Sequence, residues 1–292
     1  MLMSANFNTN EILRAYDIRP SKGLGQNFLN DITVVQDIVF TAELSKEDAV
    51  IEIGPGLGVM TEILAEQAGL VVAVEIDERL IKVLTPLSIR MGNIEIINRD
   101  IMKIDINKEI IDKIIAPRGF KSVKVVANLP YYITTPIIMK LLEENVTGLE
   151  KMVFMVQKEV AERMVAPPGG KDYGAMTVSV NYFSEGKIAF IVPPHCFTPR
   201  PGVDSAVVSL DIRKEPPFEL IDKDYFFKIV KASFAQRRKM LVNGLINAPY
   251  TRTTREKVLA ALEKMGKDEK VRGETLSAEE FGMLANLLIS EN

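Results

Sequence analysis

The sequence predicts an α/β fold: a seven-stranded, largely parallel sheet with helices on both faces, followed by a small all-α C-terminal domain. Three observations predict it. From Ala49 to Ile212 short β-branched runs alternate with helix-period segments, the pattern of strands joined by crossover helices. A glycine-rich turn follows the first of those runs, as it does where open α/β sheets receive ligands. After RKEPPFEL (213–220), whose prolines mark a linker, strand runs stop and only helical periodicity continues.

Taken in order, AVIEI (49–53), LVVAVEI (70–76), NIEIIN (93–98) and SVKVVAN (122–128) are expected as buried strands. Helices are expected to begin near Val59, Glu78 and Asn107, and after Thr135, where Pro136 suits a first helical turn. MVFMVQ (152–157), KIAFIV (187–192) and AVVSLDI (206–212) supply three more strands. The last two flank the turn PPHCFTPRPGVD (193–204), which favours an antiparallel edge pair. Between 157 and 164, Val160, Ala161 and Met164 form one apolar helix face. Beyond the linker, helices are expected over 223–235, 237–247, 253–265 and 277–289. The expected division is therefore 1–213, an α/β domain, and 214–292, a small helical domain.

Composition narrows the function. The 292 residues hold 36 Lys and Arg against 39 Asp and Glu, a net charge of −3. That excludes a polycation gripping nucleic acid by bulk charge, though not a local basic face. Cys196 is the single cysteine and His195 the single histidine, so one chain can build neither an internal disulfide nor a His/Cys metal cage. Both counts point to metal-free chemistry in a reducing compartment. The N-terminus lacks a charged segment followed by an apolar run, and no apolar stretch reaches the ~18–20 residues that span a bilayer. A cytoplasmic location is expected. His195, beside Pro193-Pro194, is expected at the surface, and Cys196 as a small buried hydrophobe.

The chemistry concentrates in two stretches. In Gly54-Pro55-Gly56-Leu57-Gly58 the glycines permit positive φ and close approach of a ligand. Their third glycine comes one place earlier than in the dinucleotide fingerprint G-x-G-x-x-G, which weakens a nicotinamide reading. Glu75 ends the next strand, 19 residues beyond Gly56, where a carboxylate can accept hydrogen bonds from both ribose hydroxyls. A nucleoside-containing cofactor follows. The second stretch, Asn128-Leu129-Pro130-Tyr131 after the fourth strand, has the form [DNS]-[PL]-P-[YF] and resembles the amine-methylating loop of adenosylmethionine-dependent methyltransferases. Adenine's exocyclic amine is a poor nucleophile because its lone pair is delocalised into the ring. Two acceptors aimed at its hydrogens, the Asn128 side-chain oxygen and the Leu129 carbonyl, would draw the nitrogen toward a tetrahedral form. Pro130 stiffens the loop, and Tyr131 offers a flat face to an extruded base.

With these stretches go Ser21-Lys22-Gly23-Leu24-Gly25-Gln26-Asn27-Phe28-Leu29, INRD, FTPRPGVDSAVVSL and FAQRRKML. From about Arg19 to the C-terminal helices the chain resembles the ribosomal RNA adenine dimethyltransferases, in particular their bacterial small-subunit branch. The resemblance implies a Rossmann-like methyltransferase sheet, S-adenosyl-L-methionine as cofactor, and dimethylation of two adjacent adenosines near the 3′ end of 16S rRNA in the 30S subunit or its precursor. It implies a monomer with a role in 30S biogenesis. It also implies that Asn27 and Leu29 close over the cofactor, Gly54 lies against its amino-acid end, Gly56 belongs to the cofactor-binding set, Glu75 holds its ribose and Asp100 its adenine amine. Asn128 would then be shared with the target amine, and Phe197 would be a second aromatic against the target base.

Between Tyr225 and Val258, eight basic residues stand against the single acid Glu256. The Arg237-Arg238-Lys239 cluster is the expected grip on RNA phosphates, with Lys22 and Arg200 at the catalytic rim. Two other classes stay open: a 23S rRNA adenine methyltransferase conferring macrolide resistance, and a non-catalytic RNA-binding assembly factor. The FTPRPGVDSAVVSL block and long helical C-terminus favour the small-subunit branch. The intact Gly54/Gly56/Gly58, Glu75 and Asn128-to-Tyr131 set favours catalysis.

Overall fold

A computed structural model of the chain describes residues 8–237 and 239–290. Its principal sheet contains β1 (Asp48–Ile53), β2 (Leu70–Glu75), β3 (Ile94–Asn98), β4 (Ser122–Asn128), β5 (Leu149–Gln157), β6 (Ser184–Val192) and β7 (Ser205–Ile212), in the order β3-β2-β1-β4-β5-β7-β6. Helices cover both sides. Adjacent strands from β3 across to β5 run parallel, and β7 lies antiparallel to β5, with Met152 opposite Leu210 and Val156 opposite Ala206. Every residue of β1 and β2 is buried, including the acids Asp48, Glu52 and Glu75, as befits central parallel strands covered on both faces. β6 alternates between covered and open positions at the sheet's edge.

The strand order reverses between β1 and β4, so the chain leaves the two strands toward opposite sides and opens a crevice at their carboxyl ends. Helix Val59–Gln67 leaves β1 and helix Thr134–Glu143 follows β4. Ahead of the sheet, helix Thr9–Ala15 is capped by the Asn8 side chain, and the Thr9 hydroxyl donates to the Leu29 carbonyl at 2.9 Å. Phe28–Leu29 pairs antiparallel with Phe197–Thr198 in a short ribbon, registering Leu29 on Phe197.

The domain division departs from the expected break at 213/214. One compact unit is the chain to Ala161 together with Gly186–Ile212; the other is Glu162–Glu185 together with the chain from Arg213. Aromatic packing is the reason: Tyr182, 41 residues before Lys223, meets Phe218, Phe226 and Phe227 with ring centroids 5.4, 5.5 and 5.7 Å away. The second unit's main helices are Ala175–Phe183, Lys223–Ala235, Arg255–Lys264 and Ala278–Ser290. The helix expected over 237–247 is shorter, Leu241–Ile246, because the Leu241 N–H is taken by the Val271 carbonyl at 2.8 Å instead of an earlier turn. Among the described residues no helix is long and apolar enough to cross a membrane.

Candidate active site

The glycine turn is built as its spacing demands. Gly54, Gly56 and Gly58 have φ of 69°, 59° and 82°, left-handed values that side chains resist. The Gly54 N–H donates to Val74 at 2.9 Å and the Gly58 N–H to Pro55 at 3.0 Å, which tightens the turn before helix Val59–Gln67. A Cβ on Gly56 would stand 3.2 Å from the Phe28 ring.

Glu75, 4% exposed, faces this turn from the end of β2. Its Oε2 accepts from the Gly56 N–H at 3.2 Å and its Oε1 from the Asp77 N–H at 2.8 Å. Burial raises the Glu75 pKa above the usual carboxylate value, against the pull of these two backbone donors. A carboxylate has about four acceptor sites, so capacity remains for a pair of hydroxyls. At the end of β3, Asn98 donates to the Glu75 carbonyl at 2.8 Å. Asp100 caps the next turn, its Oδ1 accepting from Met102 N–H at 2.9 Å, and it still lines the cavity.

The Asn128 loop forms the facing wall. Asn128 is the last residue of β4, paired with Met155, and the Leu129 N–H donates to the Met155 carbonyl at 3.1 Å. The Asn128 Nδ2 donates to the Asn27 carbonyl at 3.2 Å; among the described residues no donor occupies its Oδ1. The Tyr131 hydroxyl shares a 2.7 Å hydrogen bond with Ser205 Oγ, which fixes the ring, and burial raises the phenol's pKa.

These elements enclose a cavity of about 380 Å³, within the range of small-ligand sites. It brings together Asn27, Leu29, Gly54, Gly56, Glu75, Asp100 and the whole Asn128-to-Tyr131 loop. Phe197 is not brought there. It is 1% exposed and packs in the apolar core with Val192 and Val207, held by its pairing with Leu29. Its partner Leu29 does line the cavity, so Phe197 stands one residue behind the wall rather than on it.

The remaining expected residues divide. Lys22, Arg200 and Lys239 are exposed, and Arg238 lies outside the described residues. Arg237 is partly committed: its Nη2 donates to the Tyr173 carbonyl at 3.0 Å and stands 3.6 Å from Glu274. Cys196 is buried, and burial together with Asp31 raises its pKa. Among the described residues no cluster of three His, Cys, Asp or Glu is placed to hold a metal ion.

Three cavity-side residues escaped sequence reasoning. Gln26 and Tyr132 line the cavity, and Tyr132 is 59% exposed. Asp77 caps helix Glu78–Met91 and contacts Gln26. Gln26 stands in the Gln-Asn-Phe-Leu block and Asp77 just before a helix start, but polar contacts spanning 51 residues leave no periodic signal.

Comparison with known proteins gives the geometry its relatives. Residues 19–289 match the model of a family described as ribosomal RNA adenine dimethylase. A ribosomal RNA small subunit methyltransferase A from Lachnoclostridium phytofermentans is 47% identical over 281 residues, covering 96% of this chain and 95% of that protein. A dimethyladenosine transferase structure from Plasmodium falciparum superposes with a TM-score of 0.72 at 26% identity, over 88% of this chain and 95% of that one. The 23S rRNA methyltransferase ErmE gives 0.67 at 28% identity, over 90% of this chain and all of that one.

Proposed function

The chain belongs to the ribosomal RNA adenine dimethylase family, and from that membership and the site we propose that it uses S-adenosyl-L-methionine to dimethylate two adjacent adenosines in the 3′-terminal hairpin of 16S rRNA. It acts on the 30S subunit or its precursor, in the cytoplasm, and so takes part in 30S biogenesis. The observation that carries the reading is the Asn128 loop standing across one cavity from the Gly54–Gly58 turn and Glu75. The relative at 47% identity is a small-subunit enzyme, against 28% for the 23S enzyme, so the large-subunit reading is not favoured.

The residues fit the cofactor. The positive-φ turn leaves bare backbone where Cβ atoms would stand, Glu75 has acceptor sites for ribose hydroxyls, and Asp100 lines the wall beyond β3. Asn27 and Leu29 line the cavity from the closing segment. When bound, S-adenosylmethionine supplies a methyl group on a positively charged sulfur. The chain's own contribution is orientation and charge placement. Asn128 Oδ1 and the Leu129 carbonyl accept the target amine's hydrogens, which draws its lone pair out of the ring. Tyr131, anchored at Ser205, presents an aromatic face to the base. The amine becomes acidic only as its new N–C bond forms, so its proton leaves to water and no strong side-chain base is needed. The exposed basic residues Lys228, Lys231, Lys239 and Arg252 of the helical unit serve RNA phosphates.

The test incubates the protein and methyl-labelled cofactor with undermethylated 30S particles, and separately with 23S rRNA, followed by digestion to nucleosides. Dimethyladenosine from the 30S sample is expected. Label confined to 23S rRNA, or no label, overturns the reading. Asn128→Ala should lower transfer by roughly 10²-fold, the scale of one preorganised electrostatic contact, and unchanged turnover would refute the acceptor role.

A further inference from the structure

Three successive residues of the closing segment make three different contacts. Gly25, at φ +59°, lies flat on the acceptor loop: a Cβ there would stand 3.1 Å from Tyr132 Cδ1 and 3.5 Å from Pro130 Cβ. Gln26 reaches the other way, its Nε2 donating to Asp77 Oδ2 at 2.8 Å. The Asn27 carbonyl accepts from Asn128 Nδ2 at 3.2 Å. The segment therefore spans the cavity from the strand end that bears Glu75 to the loop that bears the acceptor.

Gln26 is anchored at both ends. Its Oε1 accepts from the Ser21 N–H at 2.8 Å, and its own N–H donates to the Ser21 carbonyl at 3.2 Å. Asp77 is itself immobilised: Arg79 holds it through Nη2 at 2.6 Å and Nε at 2.9 Å, and the Asp77 N–H is spent on Glu75. The Arg79 guanidinium holds the Asp77 carboxyl below its usual pKa, so Asp77 remains an acceptor for Gln26 through the neutral range.

The consequence falls on Asn128. An amide side chain has two ends of similar shape and opposite hydrogen-bonding character, so only its partners decide which end faces the cavity. With Nδ2 committed to the Asn27 carbonyl, Oδ1 is the end left for a donor. The reverse orientation would present an NH2 to the target's NH2 and could not draw its lone pair out of the ring. We propose that Gln26 is a positioning residue: by pinning the closing segment to Asp77 it holds the Asn27 carbonyl against Asn128 and presets the acceptor for the target amine. This rests on the methyl-transfer reading above. It makes the pinned position of the closing segment a condition of acceptor geometry.

The test separates orientation from cofactor retention. Single-turnover transfer to undermethylated 30S particles is measured at saturating cofactor for wild type, Gln26→Ala, Gln26→Glu and the paired variant Gln26→Glu with Asp77→Asn, alongside the melting temperature and S-adenosylhomocysteine affinity of each. Gln26→Ala should lose about 10-fold in the saturated rate, the scale of one hydrogen bond, with melting temperature little changed. Gln26→Glu should lose more, since two carboxylates would face each other, and the paired variant should recover most of the rate by exchanging donor and acceptor at constant net charge. Amide hydrogen exchange over residues 22–29 with S-adenosylhomocysteine bound should show protection in wild type that Gln26→Ala loses. A Gln26→Ala protein whose saturated rate is unchanged, or whose loss is confined to cofactor affinity, overturns the inference. Failure of the paired variant to recover any rate does so too. A wild-type protein that transfers no label overturns the functional reading itself.

Discussion

The Gly56 N–H donates to Glu75 Oε2 at 3.2 Å, tying the middle of the glycine turn to an acid 19 residues later. One carboxylate thus shapes the turn and offers its remaining acceptor sites to a ligand. Glu75→Ala should weaken S-adenosylhomocysteine binding by roughly 10- to 150-fold, since hydrogen bonds to a charged group contribute ~1.5–3 kcal/mol each. Calorimetric titration measures it, and retained affinity would remove Glu75 from the cofactor site. Because burial raises this carboxyl's pKa, wild-type affinity should begin to fall, on acidification, above the usual carboxylate range; Glu75→Gln should abolish that dependence.

Gly58 and Gly92 share a left-handed φ, 82° and 76°, but not their surroundings. A Cβ on Gly58 would stand 2.9 Å from Leu87 Cδ2 and 3.0 Å from Leu84 Cδ2, whereas Gly92 has nothing within 4 Å. Gly92→Ala should therefore cost only the conformational penalty, about 1 kcal/mol, and Gly58→Ala that penalty plus overpacking, roughly 2–4 kcal/mol in all. Urea denaturation compares them. Equal losses would show that the Leu84 and Leu87 side chains yield freely.

How much of this was legible in the chain depended on the kind of contact. All seven strands appear where β-branched runs stand, and Gly54, Gly56, Glu75, Asp100 and Asn128 converge on one cavity because strand-end positions in a parallel sheet are adjacent by construction. The burial of Phe197 was not legible, because local sequence does not say whether a ring beside prolines packs into the core or lines the cavity. That residues 162–185 group with the helical unit is not legible locally, because Tyr173 and Tyr182 pack with Phe234, Phe226 and Phe227, partners more than 40 residues away. The Gln26–Asp77 bond was invisible for the same reason.

Beneath the glycine turn, Glu52 is 0% exposed and neither carboxyl oxygen has a hydrogen-bond partner among the described residues. Burial pushes its pKa from 4.5 up to about 8, against the weak pull of the neighbouring Thr61 hydroxyl, which is too poorly placed to form a regular hydrogen bond, and with the nearby Glu75 charge adding to the rise. Between those values the folded chain keeps a proton that the unfolded chain has lost, so the protonated Glu52's contribution to stability is complete below pH 4.5 and declines as pH rises toward 8. Glu52→Gln carries no such proton. Its stability relative to wild type should grow across that window by a few kcal/mol, on the order of 1.4 per pH unit at most. Denaturation midpoints of both proteins at pH 5 and pH 8 test this; a constant difference would place Glu52 in an ionised, compensated state.

Arg237 and Lys239 look equivalent in sequence and are not equivalent in structure. Arg237 donates to the Tyr173 carbonyl at 3.0 Å and lies 3.6 Å from Glu274, while Lys239 is exposed and its N–H closes a turn on Gln236 at 2.8 Å. Reversing charge at Arg237 removes a donor from a half-covered carbonyl and sets a second carboxylate beside Glu274, so Arg237→Glu should lower the stability of the helical unit by about 1–2 kcal/mol as well as weaken RNA binding. Lys239→Glu should leave stability within about 0.5 kcal/mol and act only through RNA phosphates. Its signature is a reduced slope of log affinity for 30S particles against log salt, by about one for each phosphate the side chain no longer neutralises. Thermal denaturation of each variant, with particle binding across a salt series, separates the two effects. A Lys239→Glu protein with an unaltered salt slope would remove this segment from the RNA face, and Arg237→Glu at full stability would show that its bonds to Tyr173 and Glu274 carry no weight in the fold.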